Sequence, residues 1–431
     1  MSNNTIYQVV KDNLCTGCGT CISLCPVEAI VLTKEPHKGI YIPKINEKKC
    51  NNCSICFRIC PGHEVNFKEL NLKIFGKKSE NSLIGNYIEC YAGHTTNYEL
   101  GYDCASGGLI TQILIFALEN EIINGALITK MNEDNPLEPE CFIARTKEEI
   151  IKGSKSKYCP VPANIALKEI LKSDEEEKFA VVGLPCHIHG VRKAELIYKK
   201  LEKKIIIHLG IWCSVTCNFL GTEFILKKYG IHKEEVVQLS YRGKGWPGGM
   251  SLKLKNGKEI FISQEEYWND DFSSFISSRC KVCCDASAEL ADISFGDYRG
   301  KKVILDNNIG KSGIIVRNDI GKDILNKMQL ANELTIFKTD CKDISHLQYY
   351  FYFKKSIRAC FLIFTVLNKR IPDYNYDFTK PKLTDYIFQV SLYLRALMAS
   401  KSYLWKLLII YNKSYNFILD TVINYKNKSN S

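Results

Sequence analysis

Cys15, Cys18, Cys21 and Cys25-Pro26 are followed by Cys50, Cys53, Cys56 and Cys60-Pro61, so that each run reads C-x2-C-x2-C-x3-C-P. A loop presenting a thiolate at every third residue can wrap three irons of one cube. In chains with two such runs, the cysteine before the proline ligates the other cluster. The spacing therefore predicts one 4Fe–4S cluster on Cys15, Cys18, Cys21 and Cys60, and a second on Cys50, Cys53, Cys56 and Cys25. Zinc suits a single pair of C-x2-C units, and disulfides suit short secreted chains. A duplicated run of four, ending each time in proline, fits neither. The chemistry these residues point to is one-electron transfer.

Such runs are those of bacterial two-cluster ferredoxins, and residues 1–75 are expected to form an α+β ferredoxin-like domain. Lys38-Gly39-Ile40-Tyr41 falls in a hairpin between the runs. Val27-Glu28-Ala29-Ile30 reads as a helix leading away from Cys25, with Pro26 in the first turn, where its missing N–H has no partner to lose. Residues 76–85, beginning Gly76-Lys77-Lys78-Ser79, are polar enough for a linker, and a second domain is expected over residues 86–340.

With 431 residues the chain can hold two or three domains. Its twenty cysteines, with no charged, apolar and small-residue leader at the start, predict reduced thiols in a cytoplasmic protein. No uncharged run approaches the ~18 residues that span a bilayer. The net charge of +11 is concentrated at the end: from Ile344 to Ser431 there are thirteen Lys or Arg against four Asp, a net of +9. No nucleic-acid-binding module accompanies this charge, and nucleic acid is not expected as a partner. The region 341–431 reads as a basic, aromatic helical tail, with helices at Tyr386 to Met398, Tyr403 to Tyr411 and Tyr415 to Tyr425. It is either a helical cap on the preceding domain or a peripheral anchor at the inner face of the membrane.

Between the linker and the tail, helical and strand patterns alternate as an α/β domain requires. Ser106-Gly107-Gly108 opens the apolar helix Leu109 to Glu119, and Ala126 to Thr129 is a short strand. Phe179 to Val182 runs into Gly183-Leu184-Pro185-Cys186, and Ile205 to Ile211 ends at Trp212-Cys213. Val236 to Ser263 reads as alternating strands around a Gly243 to Gly249 loop and an Asn256-Gly257 turn. Further strands are expected at Ala291 to Asp297, at Gly313 to Arg317 and at Leu334 to Phe337. Ligands of open α/β sheets gather at strand carboxyl ends, which is where Cys186 and Cys213 fall.

An ordered set of segments in this domain resembles the beta-subunit family of coenzyme F420-reducing hydrogenases and formate dehydrogenases. The segments are Ser106-Gly107-Gly108, Gly153-Ser154-Lys155-Ser156-Lys157-Tyr158, Gly183-Leu184-Pro185-Cys186-His187, Gly210-Ile211-Trp212-Cys213 and Arg279-Cys280 through Asp297. The resemblance implies a non-Rossmann, flavin-binding α/β domain that relays electrons through FAD between iron–sulfur clusters and a hydride carrier such as coenzyme F420, or another organic substrate. No G-x-G-x-x-G follows a strand, which agrees with that domain type. It assigns Ser106, Gly107 and Gly108 to flavin phosphate at a helix N-terminus, and Ser156, Lys157 and Tyr158 to further flavin contact. Cys104-Ala105 precedes Ser106 where many members carry a serine run, so the hydride carrier is left open.

Twelve cysteines remain outside the two runs, and most need no role beyond small apolar packing. Cys186 and Cys213 end two strands expected to be neighbours, and Cys280-x2-Cys283 is a chelating pair. These four are expected to hold a third 4Fe–4S cluster beside the flavin, with Cys217 and Cys284 as substitutes and zinc as the competing metal. His187 follows Cys186 and is the candidate for proton exchange near neutral pH. Asp292 and Asp297 would support the same region. The function expected is that of a flavin and iron–sulfur oxidoreductase working with a redox partner protein or a hydride-carrier substrate. Two rivals are an electron-transfer subunit with no substrate site, and a membrane-surface factor in polysaccharide biosynthesis whose clusters are structural.

Overall fold

The computed structural model describes residues 4–268, 272–300, 308–347, 351, 354, 357–378 and 380–414. An N-terminal mixed α+β unit, a central β-sheet core and a C-terminal helical region follow one another along the chain.

In the N-terminal unit, β1 (Ile30–Glu35) and β2 (Ile40–Ile45) form an antiparallel hairpin between the cysteine runs, in the register Ile30↔Ile45 to Glu35↔Ile40. The two runs share one backbone plan. Gly17 and Gly19 have φ of 71° and 85°, and their counterparts Asn52 and Ser54 adopt 57° and 61°. In each run the left-handed residue launches one helical turn, Thr20–Ser23 or Ile55–Arg58, carrying the third cysteine. The expected helix at Val27 to Ile30 is absent. Glu28 takes a left-handed φ of 49°, and its N–H closes a turn on the Cys25 carbonyl at 3.1 Å. Ile30 is already paired in β1, so four residues must reverse the chain and leave no length for a helix.

The central sheet has eight strands in the order β13-β3-β12-β11-β7-β6-β4-β5. These are β3 (Glu89–Thr95), β4 (Gly125–Met131), β5 (Pro139–Ala144), β6 (Phe179–Gly183), β7 (Ile205–Ile211), β11 (Ile293–Asp297), β12 (Ser312–Val316) and β13 (Leu334–Lys338). The pairings β4/β6, β6/β7 and β7/β11 are parallel, whereas β5, β12, β3 and β13 add antiparallel. The sheet is thus mixed, with its parallel centre covered on both faces, which is why Phe179-Ala180-Val181-Val182 and Ile205-Ile206-Ile207 read as continuous apolar runs. A separate meander of β8 (Val236–Ser240), β9 (Gly249–Leu254) and β10 (Glu259–Ser263) is inserted between β7 and β11.

The N-terminal unit shares a core with the sheet domain. Ile6, Val9, Leu24 and Ile59 pack in one cluster with Ile188, Val191 and Ala194 of the helix Pro185–Ile197, and with Phe364 and Tyr374 of the C-terminal region. That helix is bolted to the cysteine loops. Lys193 Nζ donates to the Cys60 and Glu64 carbonyls at 3.0 and 2.7 Å, and a Cβ at Gly190 would stand 2.5 Å from Thr20 Oγ1. In the tail, helices span Arg358–Val366 and Leu383–Ala399, and a further helical stretch covers residues 405–414. The expected helix at Tyr415 to Tyr425 lies outside the described residues. No helix among the described residues is long and apolar enough to cross a membrane.

Candidate metal centres and cofactor site

The hairpin β1–β2 folds the two cysteine runs onto each other, and the side chains collect in two small cavities. One is lined by Cys15, Cys18, Cys21 and Cys60, the other by Cys25, Cys50, Cys53 and Cys56. Each set takes three cysteines from one run and the last from the other. Backbone N–H groups point at the sulfurs, Gly17 at Cys15, Ala29 at Cys25 and Gly62 at Cys60, over 3.3–3.4 Å. Burial pushes the Cys60 thiol up to about 11, so this sulfur becomes a thiolate at neutral pH only with a compensating positive centre. Cys53 is exposed, whereas Cys18, Cys21 and Cys60 are buried.

A third, larger cavity of about 460 Å³ lies where the N-terminal unit meets the carboxyl ends of β6 and β7. Parallel pairing sets Gly183 opposite Gly210, which brings Cys186, three residues past β6, next to Cys213, two past β7. Cys280 and Cys283 approach from the short helix Ser278–Val282. All four line the cavity, together with Cys15 of the first set. Burial, reinforced by its thiol neighbours Cys283, Cys213 and Cys18, raises the Cys186 thiol well above its ordinary range. Lys354 also faces this cavity. Burial opposes its charge, but Cys283, Cys213 and Cys280 outweigh that and hold its ammonium above the usual lysine range. Cys217 and Cys284 are buried and do not line the cavity; Cys217 donates to the Phe272 carbonyl at 3.6 Å.

Among the described residues, no three His, Cys, Asp or Glu side chains stand close enough to hold a single metal ion. A tetrahedral zinc would draw its thiolates to within ~4 Å of one another.

Arg279 connects the first and third sets. Its guanidinium donates to the Pro61, Gly62 and Val282 carbonyls at 3.1, 2.7 and 3.2 Å, tying the turn after Cys60 to the residue before Cys283. In the sequence Arg279 stands only as the first residue of the Arg279 to Asp297 segment, because two of its three partners lie 217 and 218 residues away.

His187 also lines the cavity. Its Nδ1 accepts from the Leu184 N–H at 3.1 Å. Burial lowers its pKa to about 4, against a smaller upward pull from its bond to the Val161 backbone. The ring therefore stays neutral and caps its helix, and proton exchange near pH 7 finds no support in this environment. Asp292 lies apart from the cavity lining, in a buried ionic cluster with Arg192 at 2.8 Å and His208 at 3.0 Å, and Glu195 completes it at 2.7 Å from His208.

The segments expected to meet flavin are brought together elsewhere, by a residue the sequence did not single out. Arg242, at the end of the strand preceding the Gly243–Gly249 loop, donates to the Tyr158 hydroxyl at 3.0 Å and to the Ala105 carbonyl. Asp297, at the end of β11, is 3.4 Å from the same guanidinium. Lys155 pairs with Asp103 at 2.6 Å. Ser106 Oγ donates to the Lys311 carbonyl at 3.0 Å, and the Gly107 N–H donates to Ser312 Oγ at 3.0 Å. A Cβ on Gly107 would lie 2.5 Å from the Gly93 carbonyl and 2.9 Å from the Ser312 nitrogen, so this glycine is required by its packing on β3 and β12. Gly108 caps the helix Leu109–Glu119 with a φ of 73°. Lys157 turns inward to three carbonyls, at Gly153, Ser154 and Lys155, and burial lowers its pKa to about 7. Ser156 is half-buried beside it. Two buried donors here, Arg242 Nε and Trp246 Nε1, have no hydrogen-bond partner among the described residues. Such donors, next to a helix N-terminus that no side chain caps, suit an anionic ligand. The segment continues through Pro160 and Val161 into the lining of the cysteine cavity.

Sequence families match along nearly the same stretches. Residues 14–63 match the 4Fe-4S dicluster domain. Residues 90–168 match the coenzyme F420 hydrogenase/dehydrogenase beta subunit N-terminal family, and residues 176–342 match its C-terminal counterpart. The chain belongs to the coenzyme F420 hydrogenase/dehydrogenase beta-subunit family, with an N-terminal 4Fe–4S dicluster domain. It is accordingly an iron–sulfur protein of a redox family. Among its relatives, the coenzyme F420-dependent sulfite reductase of Methanocaldococcus jannaschii is 28% identical over 348 residues, 77% of this chain, but only 48% of that longer protein is covered. The coenzyme F420 hydrogenase subunit beta of Methanothermobacter thermautotrophicus is 28% identical over 264 residues, covering 60% of this chain and 85% of the relative. A chain of the F420-reducing [NiFe] hydrogenase complex from Methanosarcina barkeri superposes with a TM-score of 0.54 at 21% identity, over 68% of this chain and 98% of that one. At that identity the likeness is one of fold. The family matches stop at residue 342, so the tail is outside them.

Proposed function

We propose that this chain is an iron–sulfur flavoprotein oxidoreductase that passes electrons between a hydride carrier of the coenzyme F420 class, or a related organic substrate, and its 4Fe–4S clusters. The observation that carries the reading is the succession of three sets of four cysteines, each lining a cavity, from exposed Cys53 inward to the strand ends that hold Cys186 and Cys213. Cys15, Cys18, Cys21 and Cys60 would hold one cluster, Cys25, Cys50, Cys53 and Cys56 the second, and Cys186, Cys213, Cys280 and Cys283 the third. FAD, when bound, supplies the conversion between two-electron hydride chemistry and single electrons.

The chain's own residues contribute position and charge. Arg242 and the Gly108 helix start would receive the flavin's phosphates, with Ser106, Gly107, Ser156, Lys157 and Tyr158 shaping the walls of that site. Lys354 offsets negative charge on the third cysteine set, and Arg279 fixes the separation of the first and third sets. Three relatives are named as beta subunits of coenzyme F420 hydrogenase, which supports a place in a larger redox assembly. Reduced thiols in such number suit a cytoplasmic location.

The alternative, an electron-transfer subunit without its own substrate site, draws on Ser106 and Gly107 being engaged within the fold. Metal and flavin analysis after anaerobic purification separates the two. About twelve irons with one flavin per chain is the expected result. The same iron without flavin, and no turnover with reduced hydride carriers, would leave the electron-transfer subunit.

A further inference from the structure

The helix Leu383–Ala399 is built inside out. Its only acidic and basic side chains, Asp385 and Arg395, are 3% and 5% exposed, and Gln389 and Ser391 are buried with them. Leu383, Ile387, Val390, Leu394 and Leu397 are instead between 43% and 77% exposed. At 100° per residue these five fall within an arc of about 80°, with the buried polar residues on the far side. A water-facing helix shows the opposite distribution. In the helical stretch that follows, Leu407 and Ile410 are also exposed, beside exposed Lys406 and Lys413, while Trp405 and Leu408 are buried.

We propose that this face lies in the surface of an anionic membrane. Three observations favour lipid over protein. The stripe carries no hydrogen-bonding side chain, whereas a protein interface needs roughly one hydrogen bond per 100–200 Å². Lys380, Lys382 and Lys401 are exposed at the two ends of the helix and Lys406 in the helical stretch that follows, where they meet headgroups if the apolar face is immersed. Residues 357–414 carry nine Lys or Arg against three Asp, a net of +6, which repels a second copy of the same face and attracts acidic lipid. The helix, at about 25 Å, lies along the surface and does not cross it. This surface depends on neither clusters nor flavin.

Flotation of the full chain, purified with its iron, tests the proposal. The expected result is flotation with vesicles of phosphatidylglycerol and phosphatidylcholine, none with phosphatidylcholine alone, and release by salt. Lys401→Gln and Lys406→Gln should each weaken binding about fivefold. Ile387→Asp with Leu394→Asp should abolish flotation and leave iron content unchanged. The lysine variants carry the test if that double variant loses its iron. A wild-type chain that stays unbound with anionic vesicles at low salt would overturn the proposal. So would equal flotation of the lysine variants, or a dimer that the double variant dissociates in the absence of vesicle binding.

Discussion

Asp292 lies between Arg192 and His208, and this position couples folding to pH. Burial works against its charge, but Arg192 and His208 outweigh burial and hold its carboxyl well below the ordinary range. Burial and Arg192 press the His208 imidazolium down, while Glu195 and Asp292 more than compensate and raise it. The Asp292 contribution is present above the unfolded value of ~3.9 and is lost as pH falls through the lower native value. The His208 contribution is complete below ~6.5 and is lost as pH rises through the elevated native value. Stability from this cluster is therefore greatest between about pH 4 and pH 6.5. Thermal melts from about pH 6 to about pH 9 should show a falling Tm that His208→Gln flattens. Asp292→Asn should cost about 3–5 kcal/mol in urea unfolding, and a smaller loss would mean that the cluster relaxes. At the third cysteine set, Cys283→Ser should lower iron from about twelve to about eight per chain with the N-terminal cluster signals intact. Unchanged iron would remove the third cluster. The cysteine sets were readable because duplicated spacing is a local signal, and Gly183-Leu184-Pro185-Cys186 announces a strand end. Arg242 was not, because the meander that carries it reaches Tyr158 and Ala105 across 84 and 137 residues.

At the scale of elements, parallel pairing of β6 and β7 decides which loops meet, and the apolar runs made that pairing legible. The strands β3 and β5 were missed: Glu89–Thr95 and Pro139–Ala144 mix polar and apolar residues, and only their neighbours in the sheet make them strands. The turn at Pro26–Ala29 was misread for a related reason, since a short segment after a cysteine run obeys the hairpin that follows it before its own propensity. Arg279 joins two such elements through three carbonyls. Arg279→Met would take this donor from the Pro61 and Gly62 carbonyls, at ~1–3 kcal/mol each, whereas the Val282 carbonyl keeps the Tyr374 hydroxyl at 2.7 Å. Hydrogen exchange should then quicken around residues 61–63 and 280–283. Exchange that quickens uniformly over the sheet would deny Arg279 this local role. Gly107→Ala should lower Tm sharply, because its Cβ meets the Gly93 carbonyl of the adjacent strand and backbone must move.

For the whole molecule, one core runs from the N-terminal unit through the helix Pro185–Ile197 to Tyr374. Cluster absorbance and far-ultraviolet circular dichroism should consequently be lost in one coincident urea transition. Two separated transitions would mean that the N-terminal unit holds its clusters independently.

The crossing of the fourth cysteines has a consequence for how such a protein matures. On the proposed assignment, neither cubane can gain its last thiolate until the opposite run has arrived, so the two are completed together or remain open-sided. Each finished cluster then clasps chain ends far apart, Cys15 with Cys60 and Cys25 with Cys50, and shrinks the conformational freedom of the unfolded loop much as a covalent bridge would. Iron delivery and hairpin closure thus become a single event. An oxidant that dismantles one cube would open one of the two clasps and leave the runs joined by the other alone.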